Sequence, residues 1–466
     1  MKKIIGTKEF YKGVLAIAVP IMLQNGITNF VGLLDNIMVG RIGTEQMSGV
    51  SIVNQLIFVF NLCIFGGISG AGIFGAQFYG QKNMKGVRDT FRFKLVLCAV
   101  ILIGTIALFM GYDTQMISLY LHEGAGGGDL AATLLYGERY LKIMLIGLLP
   151  FTMEQCYSST LRETGETVVP MYASIAAVFV NLILNYLLIF GKLGFPVLGV
   201  EGAAYATVIS RFVQMAIVMV WTHRHLERNP YMEGAYKSLK IPLNLTKKIM
   251  LLGMPLLLNE TLWAAGVAAQ TQCYSVRGLS VVAGLNINST ICNVFNIIFI
   301  ALGDAVAIIV GQLLGAGKLK EAKSTAYKII FFSVCCCVVT GGVLAATAHL
   351  FPMIYNTTEE VKNTAAWFIR ITALVMPLQG FLHATYFTIR SGGKTVITFL
   401  FDSAFLWVVA VPVSYLLSYH TGLSILAVFL CCQLLDCIKA LAGWLIMRSG
   451  IWMQNIVGDG AVNTQA

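Results

Sequence analysis

The chain carries two copies of one apolar segment at a constant spacing of 235 residues. Residues 76–80, Ala-Gln-Phe-Tyr-Gly, recur as residues 311–315, Gly-Gln-Leu-Leu-Gly, without any gap in the aligned stretch. The other matched positions are Pro20 with Pro255, Gly43 with Gly278, Gly49 with Gly284, Asn61 with Asn296 and Lys85 with Lys320. In a very hydrophobic chain, such a repeat is typical of two-lobed membrane transporters with a substrate site between the repeats.

Composition restricts the chain to the membrane proteins. It is 57% hydrophobic, has a mean hydropathy of +0.77 and is only 12% charged, whereas soluble domains carry about 25% charged residues. Continuous apolar runs such as residues 95–110 are too long for the alternating segments of about ten residues that form a membrane barrel. We therefore predict an all-α polytopic protein with twelve transmembrane helices, at residues 13–38, 48–75, 92–112, 136–160, 168–192, 201–222, 249–274, 281–308, 325–349, 364–389, 396–418 and 424–447.

Lysine and arginine divide unevenly between the two sets of predicted loops. Most of the 32 basic residues belong to one set, which includes the N-terminus and the loops 80–94 and 223–248. Because cytoplasmic loops are enriched in Lys and Arg, both termini are predicted to face the cytoplasm. Six spans per half give repeats related by a pseudo-two-fold axis along the membrane normal. We expect an N-lobe at 1–222, a cytoplasmic inter-lobe linker at 223–248 and a C-lobe at 249–466.

Several other functional classes are disfavoured. The topology signal explains the net charge of +10, so no nucleic-acid partner is expected. The 11 cysteines lie in predicted spans without metal-ligand spacing and are interpreted as small apolar residues. The chain has no His-Glu-x-x-His, no Gly-x-Ser-x-Gly and no clustered histidines, so neither an enzyme nor a cofactor is expected.

Two carboxylates inside predicted spans are the main candidates for function, because ionisable groups are costly in a bilayer. Asp35 in the first helix and Glu260 in the seventh have no obvious basic partner. Such a carboxylate can bind a proton, or hold Na⁺ with help from neighbouring oxygens. The oxygens available for this purpose come from Asn181, Asn185 and Thr207 in the first half and from Asn286, Asn288 and Asn293 in the second.

Four further acids allow either a functional or a structural interpretation: Glu154, Asp304, Asp402 and Asp436. Lys439 lies one helical turn from Asp436, so a local ion pair is as plausible there as function. Asp402 is close to the cytoplasmic Lys394 and could be solvated, and Glu154 could pair with a neighbouring helix.

Prolines occupy equivalent positions inside the spans of the two repeats. Pro20 and Pro255 each remove one backbone donor, and each permits a kink. We interpret them as helix-bending residues that could open and close a central cleft. The alternative is that they only shape static packing.

With these residues assembled, the chain resembles the multidrug and toxic compound extrusion (MATE) family over essentially its whole length, closest to the bacterial NorM- and DinF-like branches. No single motif carries this likeness, which depends on the order, spacing and repetition of several. The motifs are Pro20, Gln24 and residues 35–40 (Asp-Asn-Ile-Met-Val-Gly), the two copies 76–80 and 311–317, Asn181-x-x-x-Asn185, residues 199–207 ending in Thr207, and Pro255 with Glu260.

The resemblance implies two six-helix lobes around a central cavity, in a protein of the cell membrane that works as a monomer. It also implies antiport, in which Na⁺ or H⁺ entry drives the export of organic, often cationic and lipophilic, small molecules. Asp35 matches the acidic residue of the first lobe, and Glu260 matches the helix 7 carboxylate of the second. Asn181, Asn185 and Thr207 match the polar companions of Asp35.

Two positions depart from the family pattern and leave the coupling ion open. Asn185 stands where some relatives have an acid, and Gln379 stands where some members carry an aspartate on helix 10. The repeats also disagree at their carboxylates, since Asp35 aligns with Gln270 and Glu260 with Asn25. We expect an additional polar site among Gln24, Asn286, Asn293, Asp304 and Gln379.

The main alternative function is a flippase for a lipid-linked precursor of the same broad superfamily. A flippase is expected to place several basic residues in the cavity to hold phosphate. Only Arg211 and Lys439 are assigned to span interiors rather than to the loops and the span ends beside them, which favours the antiporter.

Overall fold

The chain folds as a succession of long helices. The computed structural model describes residues 5–121, 129–355 and 357–458, without the side chains of Val31, Leu33, Asn36 and Ile37. These residues contain no strand. The long helices are α1 (Lys8–Gly40), α2 (Thr44–Gly80), α3 (Met84–Ser118), α4 (Leu130–Glu163), α5 (Val168–Phe190), α6 (Gly199–Arg224), α7 (Leu243–Ser275), α8 (Leu279–Gly315), α9 (Leu319–Thr347), α10 (Glu359–Ser391), α11 (Thr395–His420) and α12 (Ile425–Ser449).

Each predicted span corresponds to one of these helices, and the predicted all-α polytopic fold is confirmed. In the described part of the chain, eleven helices are long and apolar enough to cross a membrane. The remaining long helix, α4, is more polar because Glu138, Arg139 and Lys142 lie in its first half and Glu154 in its second. The described residues therefore form a multi-pass membrane protein.

The helices extend beyond the predicted spans at several ends. α3 begins at Met84, so residues 85–94 are helical, and the prediction that they belong to a basic loop is wrong. Lys94 is fully buried in this helix. Its burial is tolerated because the Lys94 ammonium lies 2.6 Å from the Glu163 carboxylate of α4, so the charge is compensated.

The chain divides into two compact units. Unit 1 comprises residues 1–22, 76–83 and 250–466, and unit 2 comprises residues 23–75 and 84–249. α1, α2 and α7 thus contribute residues to both units. The predicted lobe boundaries at residues 222 and 249 stay a prediction, and the units differ from those lobes in the assignment of 1–22 and 76–83 to unit 1.

Unit 1 is built around α8, which packs chiefly against α9 and α10. One core cluster of unit 1 includes Val14 and Ala18 of α1, Leu302 of α8, Ile329 of α9 and the fully buried Trp452 that follows α12. The segment around Trp452 is thereby fixed to the helices, although it lies outside every span.

Unit 2 is held together by α6, which packs along α5 and α4, and by the pairing of α3 with α4. The segment between α6 and α7, residues 225–242, is folded onto α3. Arg88 Nε donates to the Tyr231 carbonyl at 3.0 Å, and Arg92 donates to the carbonyls of Ala235 and Gly234, each at 2.8 Å. The basic residues of α3 therefore stabilise the linker through its backbone.

Candidate ion-coupling site

Four residues predicted from the sequence meet around Asp35 in unit 2. The Asn185 amide donates to Asp35 Oδ1 at 2.6 Å and to Asn181 Oδ1 at 3.1 Å. The Asn181 amide in turn donates to Thr207 Oγ1 at 3.4 Å. Asn181 and Asn185 are one turn apart on α5 and so face the same side, while α1 supplies Asp35 and α6 supplies Thr207.

This cluster has the donor set of a small cation site. Asn185 Oδ1 is buried and has no hydrogen-bond partner among the described residues. An orphaned buried acceptor is costly, and a bound cation would satisfy it. Carboxylate, amide and hydroxyl oxygens are the ligands that hard cations prefer. No ion pair reaches Asp35 in the described part of the chain, so its charge is free to meet a proton or Na⁺.

A second polar group of unit 2 surrounds Ser174 on α5. The Gln24 and Gln214 amides both donate to Ser174 Oγ, each at 3.0 Å. Every member of this group is neutral. It ties α1 and α6 to α5, and Gln24 Oε1 remains a buried acceptor without a partner among the described residues. The structure thus places Gln24 in a helix-linking position, at a distinct hydrogen-bonded group from Asp35.

Glu154 of α4 is a buried acid that the sequence left unassigned. Its side chain is almost completely enclosed and accepts hydrogen bonds from the Ser158 hydroxyl and, at 2.8 Å, from the Gln155 amide. These two partners are neutral and local, Gln214 of α6 also interacts with the carboxylate, and no ion pair of Glu154 is found in the described ranges. The predicted pairing with a neighbouring helix therefore does not take the form of a salt bridge.

Glu260 lies on α7 in unit 1, next to the buried Asn259. Asn259 links α7 to α10 and α11: its amide donates to Tyr386 Oη at 3.2 Å and to Asp402 Oδ2 at 3.1 Å. Its Oδ1 accepts the Ser403 backbone N–H at 3.2 Å. Glu260 itself has neither a hydrogen bond nor an ion pair among the described residues, and its side chain is only partly buried.

The acids of α11 and α12 are joined by a lysine. Lys439 Nζ lies 3.3 Å from Asp402 Oδ1 and 3.9 Å from Asp436 Oδ1. The Gln379 amide donates to Asp436 Oδ2 at 2.7 Å. The ion pair suggested by the spacing of Asp436 and Lys439 is present, and Asp402 is paired rather than simply solvated.

The remaining predicted positions lie on α8. Asn286 and Asn293 of α8 are exposed, whereas Asn288 is buried and accepts from Thr372 Oγ1 at 3.2 Å. Asp304 of α8 is partly buried. Gln379 contacts Asp436 and Gln24 contacts Ser174, and the additional polar site stays a prediction.

The prolines of the repeats lie inside helices, as expected. Pro20 is buried within α1 and Pro255 is partly buried within α7, and both helices continue through them. The role of these prolines in bending stays a prediction.

Two charged pairs were missed by sequence reasoning: Lys94 with Glu163, and Lys439 with Asp402. The partners are 69 and 37 residues apart, so spacing along one helix could not reveal them. Complementary charges inside otherwise apolar runs were the only available signal. Among the described residues, no group of three His, Cys, Asp or Glu could hold a metal ion, and the cysteines are free thiols.

Comparison with known proteins adds a family match. The MatE family model matches residues 20–187 and 259–416. The probable multidrug resistance protein YoeA of Bacillus subtilis is 26% identical over 419 residues, covering 88% of each chain. The probable multidrug resistance protein NorM of Thermotoga maritima is 25% identical over 426 residues, covering 91% of this chain and 89% of the relative.

The fold is shared with solved structures. A MATE protein crystallised in its bent conformation superposes with a TM-score of 0.84 at 17% identity, covering 94% of this chain and 95% of the other. An outward-facing multidrug resistance MATE family transporter of the MOP superfamily gives a TM-score of 0.82 at 18% identity, with the same coverage. At this identity the likeness concerns the fold alone.

Proposed function

Because the chain belongs to the MatE family, the multidrug and toxic compound extrusion transporters, we propose that it is a secondary active antiporter. It exports organic, often cationic and lipophilic, small molecules in exchange for Na⁺ or H⁺. The observation that carries the proposal is the Asp35 carboxylate inside a membrane helix, hydrogen-bonded by the neutral Asn185 amide at 2.6 Å. Relatives described as multidrug resistance proteins support the substrate class.

Coupling follows from a cluster whose hydrogen bonds depend on the charge of Asp35. As a carboxylate, Asp35 accepts from Asn185, which is itself bonded to Asn181. Cation or proton binding at Asp35 weakens the hydrogen bond that its carboxylate accepts from Asn185, and so rearranges the contact between α1 and α5. The cation drives export only if it binds more tightly to the conformation that releases the substrate. Glu260 is the corresponding candidate of unit 1.

The proposed location, oligomeric state and topology follow from membership of the family. We place the protein in the cell membrane as a monomer with both termini cytoplasmic, acting without a resident cofactor and without nucleic acid. Large, adaptable Met, Phe and Tyr side chains supply substrate contacts of the kind that promiscuous sites use. The chain has 19 Met and 27 Phe.

The flippase alternative is weakened by how the buried cations are engaged. Lys94 contacts Glu163, Lys439 contacts Asp402, and Arg211 donates to the Gly147 carbonyl at 3.2 Å. A cavity that holds phosphate needs cations that are free to meet it. Each of these three cations already has an intramolecular partner.

The test is dye efflux from liposomes containing the purified protein, driven separately by a Na⁺ gradient and by a pH gradient. We expect one gradient to drive efflux, and Asp35→Asn to slow it by about tenfold or more because the charge-dependent switch is lost. Glu260→Gln is expected to weaken coupling. Glu321→Gln, which alters an exposed carboxylate of α9, is the matched control. Wild-type rates in Asp35→Asn, or efflux without either gradient, would refute the proposal.

A further inference from the structure

Each half of the chain contains a hydrogen-bonded group of three polar residues, and two of the three positions are equivalent in the repeat. Gln24 aligns with Asn259 at the 235-residue spacing. Ser174 aligns with Asp402 at a spacing of 228, the spacing at which Arg162 and Thr167 recur as Arg390 and Thr395. The third members, Gln214 and Lys439, come from the sixth helix of each half, although at the spacing of 228 Lys439 aligns with Arg211. In unit 2 the group is Gln24–Ser174–Gln214 and is neutral. In unit 1 the group is Asn259–Asp402–Lys439 and contains a carboxylate with its own cation.

Asp402 lies in an irregular part of α11. Residues Leu400–Ala404 and Leu406–Ala410 form π-helical turns, which are rare and are frequent at functional sites. Asn259 fixes the first of these turns by accepting the Ser403 N–H at 3.2 Å and the Ser403 hydroxyl at 2.7 Å. The same side chain donates to Asp402 Oδ2, which leaves Oδ1 for Lys439.

Lys439 is largely buried, and its ammonium lies between two carboxylates. Its side chain is 14% exposed, and its ammonium lies between Asp402 at 3.3 Å and Asp436 at 3.9 Å. The rings of Phe401 and Phe405, with centroids 5.6 and 5.8 Å away, add cation–π attraction. Two carboxylates and two ring faces thus surround the one ammonium.

We propose that Lys439 is the resident cation of unit 1 and closes the Asp402–Asp436 pair to Na⁺. A second cation entering beside an ammonium 3.3 Å from Asp402 would meet like-charge repulsion in a weakly screened site. Lys439 lies on the same helix as Asp436, so its ammonium competes with free Na⁺ for the two carboxylates without losing translational entropy on binding. This inference rests on the antiport proposed above. It means that an inorganic coupling cation binds at carboxylates other than Asp402 and Asp436.

The test measures Na⁺-specific stabilisation rather than transport, so it is independent of whether the protein is an antiporter. The reference is Asp35→Asn/Glu260→Gln, which lacks both proposed coupling carboxylates. Its melting temperature in detergent is compared in NaCl and in choline chloride at equal ionic strength. We expect no difference for the reference. Adding Lys439→Gln is expected to produce a Na⁺-specific rise of about 2–4 °C, because binding stabilises the folded state.

Two further variants make the result specific. Lys439→Arg keeps a cation in place and is expected to stay insensitive to Na⁺. Asp402→Asn added to the Lys439→Gln protein is expected to abolish the response. A folded Lys439→Gln protein without any Na⁺ response overturns the proposal. If Lys439→Gln does not fold, the melting temperature of the reference protein decides. A rise in NaCl that is lost when Asp402→Asn is added to the reference would show that Na⁺ binds beside Lys439 and would overturn the proposal. No rise in the reference would support the closed site.

Discussion

At the scale of single residues, the buried Lys94 of unit 2 is neutralised by a close ion pair with Glu163. Lys94 Nζ lies 2.6 Å and 2.7 Å from the two Glu163 oxygens and 3.0 Å from Thr160 Oγ1. The Glu163 carboxylate lies against Gly72 and Gly75 of α2, where any larger side chain would occupy its place. The glycines of α2 therefore make room for a charged group as well as for close helix packing.

Removing one partner of this pair should be much worse than removing both. Lys94→Met leaves the Glu163 charge buried without compensation, and we expect a loss of about 3–5 kcal/mol in the free energy of unfolding. Lys94→Met/Glu163→Gln should recover most of that loss. Thermal unfolding in detergent measures both variants. A double variant as unstable as the single one would mean that packing, and not charge, determines the effect.

At the scale of helices, the repeated glycine motif serves as a crossing point in unit 1. A Cβ on Gly315 would collide with the Gln77 carbonyl, and a Cβ on Gly80 would collide with the Gln312 carbonyl. The two copies of the motif thus contact each other reciprocally, with each glycine against the glutamine of the other copy. The buried Gln77 amide also donates to the carbonyls of Ser391 (2.9 Å) and Gln454 (3.1 Å).

Gly315→Ala should therefore destabilise the protein by about 1–3 kcal/mol or more, because the obstacle is backbone that cannot rotate away. Gly342→Ala on α9 is the matched control, since no atom lies within 4 Å of its added Cβ. Melting temperature and the yield of monodisperse protein in detergent compare the two. Equal behaviour of both variants would show that the crossing adapts to a methyl group.

At the scale of the whole molecule, the orientation in the membrane depends on the charge of the loops. The basic residues of 85–94 belong to α3, yet they lie beside the short 81–83 connection and the folded linker 225–242, so they remain on the side predicted to be cytoplasmic. The extension of α3 thus changes the local structure of these charges without weakening the positive-inside signal.

A reporter fused to the C-terminus tests this orientation in bacterial cells. Green fluorescent protein should fluoresce there, and alkaline phosphatase should be inactive, because both termini are predicted to be cytoplasmic. The phosphatase fused after Ser118 of α3, on the predicted outer side, is the control and should be active. Active phosphatase at the C-terminus would reverse the topology.

The sequence by itself determined the helices and their repetition. Length and apolarity are local properties, so the twelve spans and the pairing of Gly80 with Gly315 could be read without any contact. The candidate site was also partly readable, because Asn181 and Asn185 are one turn apart and an intramembrane acid such as Asp35 is rare.

Only the tertiary structure decided which polar groups meet. These helices are apolar on nearly all sides, so their sequence patterns do not reveal which face turns inward or at what depth two helices face each other. That is why Asp402 could be taken as solvated when it is paired with Lys439, and why Lys94 was placed in a loop although it is buried against Glu163. Charge pairing between distant helices depends on their rotation and depth, which packing fixes and composition does not.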